Sequence, residues 1–188
     1  IADVSGHGVS SALVTVLLRS HMHRYVEKYI KGRDSSLDIL NPEKTLTNLN
    51  RVLLSEDLDK YLTMFYGILN AKDNTLIYCN GGQFPCPIMG DSLQTFFIES
   101  NGLPVGLFEE APYVAHTLKL TDKFNLFLFS DGVLEILPQK TVKEKKDYLL
   151  TLPLNEELQM EDLTRKLDLD AKVSLPDDIA LLLINRRP

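Results

Sequence analysis

Apolar residues recur in steps of three and four through Leu13, Val14, Leu17, Leu18, Met22, Tyr25, Val26, Tyr29 and Ile30. That spacing predicts an amphipathic helix from about Val9 to Ile30. Lys31-Gly32 closes it, with glycine near the expected C-cap. Asn41-Pro42-Glu43 predicts a second helix: Asn caps, Pro suits the first turn, and Glu favours the positive end of the dipole. Leu46, Leu49, Val52 and Leu53 form its expected buried face. From Leu62 the period changes. Residues 62–69 are a nearly continuous apolar and aromatic run, the pattern of a strand covered on both faces. Residues 70–74 carry turn chemistry, and 75–79 return as the hairpin partner.

Further strands are expected near 87–89, 93–98, 113–120 and 124–129, a helix or two over 140–167, and a buried closing strand at 179–184. Two leading helices, many antiparallel strands, then helices and a last strand predict an α+β fold, an antiparallel β-sandwich flanked by α-helices. No internal repeat, low-complexity tract or linker interrupts residues 1–188, so a single domain is expected. The charge run Lys143-Glu144-Lys145-Lys146-Asp147 reads as a solvated helix face.

Composition narrows the function classes. A hydrophobic share of 44% with 24% charged residues excludes wholesale disorder. The net charge of -6 offers no basic field to gather phosphates, so no nucleic-acid partner is expected. No apolar stretch reaches the length of a membrane span and no secretory leader is visible, which predicts a cytoplasmic protein without a membrane partner. Cys79 and Cys86 lack zinc-site spacing and read as small buried residues in a reducing compartment. Ile1-Ala2-Asp3-Val4 reads as the end of a strand already under way. The expectation is therefore a piece of a longer protein, with at least one strand upstream.

The candidate chemistry lies in acidic residues where apolar runs stop. Asp3 begins Asp3-Val4-Ser5-Gly6-His7-Gly8, Asp131 follows 124–129, and Asp177-Asp178 precede Ile179. A sheet can aim carboxylates from such positions while its rigid part is held by the core. Three converging carboxylates would repel one another unless a cation sat between them, and hard Mg²⁺ or Mn²⁺ takes this oxygen set. A metal-dependent hydrolytic site is the expectation. Each motif has a plainer reading. Asp3 could merely cap a strand-to-helix turn, Asp131-Gly132 could be an ordinary turn, and Asp177-Asp178 could be two solvated carboxylates. Glu135 could sit behind the site as an acceptor or simply be exposed. Their joint occurrence in this order is the stronger signal.

Taken together, these motifs resemble the metal-dependent serine/threonine protein phosphatase (PPM, type 2C) superfamily, in its bacterial sporulation and stress-response branch. Asp3–Gly8 with Ala12-Leu13 is similar to the opening D-x-S-G-H-G…A-L motif. Asn50 with Tyr61-Leu62-Thr63-Met64-Phe65-Tyr66-Gly67 resembles the second helix and the T-x-F-Y-G strand. Tyr78–Pro85 resembles the asparagine-alanine-glycine-histidine segment, and Gly102-Leu103-Pro104-Val105-Gly106 the glycine-proline-glycine loop. Ser130–Glu135 and Asp177-Asp178 supply the last two motifs.

The resemblance implies two Mn²⁺ or Mg²⁺ ions that activate a bridging water for direct attack on phosphoserine or phosphothreonine, without a phosphoenzyme. It implies that Asp3 bridges both ions, that the Val4 carbonyl completes one, and that Asp131 and Asp177 bind as well. Asp178 is the second choice of the adjacent pair, and His7 an orienting or hydrogen-bonding residue. Two departures stand out. The family's upstream Gly-Gly-Asp strand is absent from residues 1–188, and Gly81 and Gln83 replace its alanine and histidine.

The resemblance further implies a phosphorylated regulatory protein as substrate, of the anti-sigma-factor-antagonist type, and an upstream sensor or receiver domain in the same chain. Homodimerisation is compatible with it. The competing expectation is a catalytically weak domain of this fold acting as a protein-binding adaptor. A metal hydrolase of another kind would leave the full motif order as coincidence.

Overall fold

A computed structural model describes residues 1–32, 38–91, 93–152, 159–169, 175 and 177–187. In chain order the elements are β1 (Ala2–Val4), α1 (Val9–Ile30), a 3-10 turn (Asp38–Leu40), α2 (Pro42–Ser55), β2 (Leu62–Asn70), β3 (Thr75–Gly81) and β4 (Ile88–Gly90). There follow β5 (Thr95–Phe97), β6 (His116–Lys119), β7 (Phe124–Phe129), α3 (Gly132–Ile136), α4 (Val142–Thr151), α5 (Met160–Lys166) and β8 (Leu181–Arg186). Helices with two four-stranded antiparallel sheets make the fold α+β, as expected.

The chain divides into two compact units. The first comprises Ala2–Gln83 and Ser100–Lys119 and carries the sheet ordered β1-β2-β3-β6. The β2–β3 hairpin closes at the pair Asn70↔Thr75. Asn70 Oδ1 accepts the Lys72 and Asp73 N–H groups at 3.0 and 3.3 Å, which turns the chain without calling on the ladder. Helix α2 begins as its sequence predicts: Asn41 Oδ1 accepts the Lys44 N–H at 3.1 Å, with Pro42 in the first turn. Val14, Leu46, Leu49, Leu53, Leu62 and Met64 are the centre of this unit's core.

The second unit comprises Phe84–Glu99 and the chain from Leu120 onward, and carries the sheet β5-β4-β7-β8. Every residue of β7 is buried, as a strand flanked by two others and covered by helices must be. Phe127 and Phe129 on β7 pack with Val133 of α3, Leu149 of α4 and Leu163 of α5. Helix α4 starts with a reciprocal cap: Glu144 N–H donates to Thr141 Oγ1 at 3.2 Å, and Thr141 N–H to Glu144 Oε2 at 3.0 Å.

Several expectations need correction. The apolar stripe of α1 is only partly covered: Val14 is fully buried, whereas Leu13, Val26, Tyr29 and Ile30 are exposed. Its partners in this unit are mainly β1, α2 and the 3-10 turn, too little surface to cover a 22-residue helix. On α2, Val52 is half-buried, and the polar Thr45 and Asn50 take buried places instead. The later part of β2 is not covered on both faces, since Gly67 and Leu69 are exposed. β8 starts later than expected and is half-exposed, because it is the outer strand of its sheet. Cys79 is buried but Cys86 only half so, and both are free. Within the helical stretch expected over 140–167, residues 153–158 lie outside the described residues, as does Pro176.

Candidate functional site

In the first unit, Asp3 lies on β1 opposite Thr63, and Val4 opposite Leu62. The chain then turns into α1 through Gly6 (φ 69°) and Gly8 (φ 91°), left-handed values at which glycine alone is unstrained. Ser5 sews this turn to the start of β2. Its N–H donates to the Tyr61 carbonyl at 2.9 Å, while its Oγ accepts the Tyr61 N–H at 3.2 Å. Ser11 Oγ, on the first turn of α1, donates to the Ser5 carbonyl at 3.1 Å. Asp3 does not cap the helix: the cap position is Gly8, and no side chain caps it. Asp3 and Val4 are half-buried and His7 is exposed.

Two buried asparagines hold the neighbouring loops. Asn50 Oδ1 accepts the Gly106 N–H at 2.7 Å, and its Nδ2 donates to the Phe108 carbonyl at 2.8 Å. The Tyr113 hydroxyl donates to the same Oδ1 at 3.2 Å, and burial raises that phenol above its ordinary range. Asn80 Oδ1 accepts the Gln83 N–H at 2.7 Å, and its Nδ2 donates to the Ser100 carbonyl at 2.9 Å. The glycine that replaces the family's alanine has a local cause. A Cβ at Gly81 would lie 2.7 Å from Val105 Cγ2, so Val105 fills that space. Gln83, in place of the histidine, is buried.

The second unit brings two of the acidic motifs together. Ser130 N–H donates to the Ala180 carbonyl at 3.0 Å, and the Ala180 N–H donates to Ser130 Oγ at 2.8 Å. Ser130 Oγ in turn donates to the Asp178 carbonyl at 3.1 Å. Gly132 completes the join: a Cβ there would lie 2.4 Å from the Asp178 carbonyl oxygen, so only glycine allows this approach. The turn bearing Asp131 and the loop bearing Asp177 and Asp178 are thus one hydrogen-bonded assembly. Ser130 was not singled out from sequence as a functional residue; the serine beside the acid was its only local signal.

Asp131 occupies the cap position of α3, yet its side chain makes no cap hydrogen bond. No hydrogen bond or ion pair to a described residue is recorded for its exposed carboxylate. Asp177 accepts the Asp178 N–H at 2.9 Å and is exposed, as are Asp178 and Glu135. The expected three-carboxylate set is divided, with Asp3 in one unit and Asp131 and Asp177 in the other. Within neither unit, among the described residues, do three His, Cys, Asp or Glu side chains gather as a metal site. The candidate donors are all oxygens and include an uncommitted carboxylate, so their chemistry fits a hard divalent cation.

The comparisons agree with this architecture. The family model for Stage II sporulation protein E (SpoIIE) matches residues 1–187. The phosphoserine phosphatase RsbU of Bacillus subtilis is 30% identical over 149 residues, covering 78% of this chain and 42% of that protein. RsbP of the same organism, also called a phosphoserine phosphatase, is 29% identical over 140 residues, covering 72% of this chain and 32% of that protein. The matched part therefore spans less than half the length of each of these relatives. Among solved structures, the SiaA-PP2C domain of Pseudomonas aeruginosa shares the fold with a TM-score of 0.76 at 17% identity, over 99% of this chain and 74% of that one. With its motif order and a family match over nearly its whole length, this chain belongs to the Stage II sporulation protein E (SpoIIE) family, and it shares its fold with a PP2C domain.

Proposed function

We propose that this domain is a metal-dependent phosphoserine/phosphothreonine protein phosphatase. The observation that carries the reading is the Ser130 assembly, which joins the Asp131 turn to the Asp177–Asp178 loop while Asp131 caps nothing. A carboxylate kept out of local hydrogen bonding at a rigid strand end is suited to hold a cation. Asp3, Asp131 and Asp177, with the Val4 carbonyl, are the residues that would hold two Mn²⁺ or Mg²⁺ ions. When bound, such ions supply the Lewis acidity that lets water attack a phosphomonoester at neutral pH. The chain's own part is positional. Ser5 ties the Asp3 strand to Tyr61, Ser130 ties the two later motifs to each other, and Asn50 and Asn80 hold the flanking loops.

The substrate in this reading is a phosphorylated regulatory protein of the anti-sigma-factor-antagonist type. The domain serves as the output end of a longer cytoplasmic signalling protein with a sensor or receiver upstream. Similarity to the phosphoserine phosphatases RsbU and RsbP, both much longer than this domain, supports that reading. The second reading, a protein-binding adaptor of the same fold, is favoured by Gln83, buried in place of the family's histidine.

Turnover of a phosphoserine peptide by the full-length protein, with and without Mn²⁺, decides between them. The expected result is strictly Mn²⁺- or Mg²⁺-dependent hydrolysis, lowered at least roughly 10–100-fold by Asp131→Asn, the scale known for weakened metal sites. Metal-independent turnover, or no effect of Asp131→Asn, would sink the mechanism. A folded protein that binds a phosphoprotein without hydrolysing it would establish the adaptor.

A further inference from the structure

Lys60 stands immediately before Tyr61, the residue held by Ser5 through two hydrogen bonds. Those bonds fix the backbone of this lysine against the turn that follows Asp3. Its side chain is half-buried and reaches that turn: a Cβ added at Gly6 would lie 3.0 Å from the Lys60 Nζ. The ammonium therefore lies beside Gly6, within contact distance of where any larger residue's Cβ would stand.

A lysine in an acidic chain usually finds a carboxylate or extends into water. Lys60 does neither. Among the described residues no hydrogen bond or ion pair is recorded for its Nζ, although Asp57 and Asp59 are its close neighbours in sequence. Those two carboxylates, with Leu53, Leu58 and Tyr61, line a cavity of about 300 Å³ of which Lys60 is also a wall. The cavity side of Lys60 is thus acidic and disfavours an anion. The Gly6 side carries no side chain at all, so an anionic group meets the ammonium from there.

We infer that Lys60 is a positioning residue for the substrate's phosphoryl group, its ammonium donating to the phosphomonoester oxygens across Gly6. The inference rests on the phosphatase reading for its substrate, but not for its test. An ammonium is a compact point charge with three donors, suited to a phosphate dianion. It would offset repulsion between that dianion and the neighbouring carboxylates. Because Lys60 acts on charge already present in the ground state, its loss falls on binding rather than on the chemical step.

The test uses the full-length protein with Mn²⁺, as wild type, Lys60→Met and Lys60→Arg. Affinity for inorganic phosphate is measured by calorimetry, and KM and kcat with a phosphoserine peptide. Lys60→Met is expected to weaken phosphate binding and raise KM by about tenfold, the scale of one charge-assisted hydrogen bond, with little change in kcat. Lys60→Arg is expected to restore most of the phosphate affinity. Unchanged phosphate affinity in Lys60→Met would overturn the inference, as would a lowered melting temperature with phosphate binding intact, the mark of a purely structural lysine. Wild-type protein that binds no phosphate would overturn it as well. Phosphate binding that depends on Lys60 in a protein without turnover would keep the inference and remove the phosphatase reading.

Discussion

The hydroxyl of Ser130 donates to the carbonyl of Asp178 at 3.1 Å, linking two acidic motifs that lie 48 residues apart in the chain. The same oxygen accepts the Ala180 N–H at 2.8 Å, so one side chain serves both a donor and an acceptor of the second loop. Ser130→Ala leaves the Ala180 N–H and the Asp178 carbonyl without that partner. A loss of about 1–3 kcal/mol in stability is expected. Urea unfolding should show it, and metal-dependent turnover should fall further than stability alone explains. A variant as stable as wild type would show that the assembly does not depend on Ser130.

Gly132 tests the same join sterically. Its absent Cβ would sit 2.4 Å from the Asp178 carbonyl oxygen, and backbone cannot yield as a flexible side chain would. Gly132→Ala is expected to cost about 1–3 kcal/mol, the usual scale of overpacking. Thermal unfolding measures it, and an unaffected melting temperature would mean that the Asp177–Asp178 loop moves freely.

Asn50→Ala removes the acceptor of the Gly106 N–H and the donor to the Phe108 carbonyl at a buried position. Two stranded backbone groups predict a loss of roughly 2–4 kcal/mol. Asn50→Asp keeps the acceptor and loses the donor, and should remain substantially destabilised. Equilibrium unfolding of both variants separates the two bonds.

Asp131→Asn should leave stability unchanged within about 0.5 kcal/mol, since this side chain caps no helix and is exposed. Its effect belongs to cation binding. Calorimetric titration with Mn²⁺ is expected to show weaker binding in a protein that melts at the wild-type temperature. A variant that instead lost stability would restore the plainer view of Asp131 as a structural turn residue.

Burial pushes the Cys79 thiol from 9.0 up to about 11, with the Glu43 carboxylate adding a smaller push in the same direction. The folded state thus holds this proton where the unfolded chain has released it. The contribution is present below pH 9.0, and is lost as pH rises toward about 11. Unfolding midpoints measured at pH 8 and pH 10.5 should differ less in Cys79→Val than in wild type. An equal drop in both would assign the alkaline loss to other groups, such as Tyr113, whose phenol is also raised by burial.

What was legible in the sequence was what local physics decides. The bounds of α1, the Asn41 cap of α2 and the full span of β7 follow from periodicity, capping and an unbroken apolar run. The order of the acidic motifs was equally plain, because each sits where such a run ends. Helix α3 was not foreseen: Ser130-Asp131-Gly132 carries ordinary turn residues, and five residues are too few for a helical period to show. Nor could periodicity reveal that much of the α1 stripe stays uncovered, since a stripe states what can be buried and not what arrives to bury it.

Tertiary structure alone decided the contacts between distant segments. Ser130 finding Asp178, Asn50 finding Phe108 across 58 residues, Val105 filling the space above Gly81 and Lys60 reaching Gly6 leave no periodic trace in the chain. Such contacts depend on where strands and loops come to rest, and a single hydrogen bond or missing methyl has no local propensity to announce it. The sequence by itself determined which residues could carry the chemistry. Packing determined which of them are tied together, which stay uncommitted, and which glycines leave no room for anything larger.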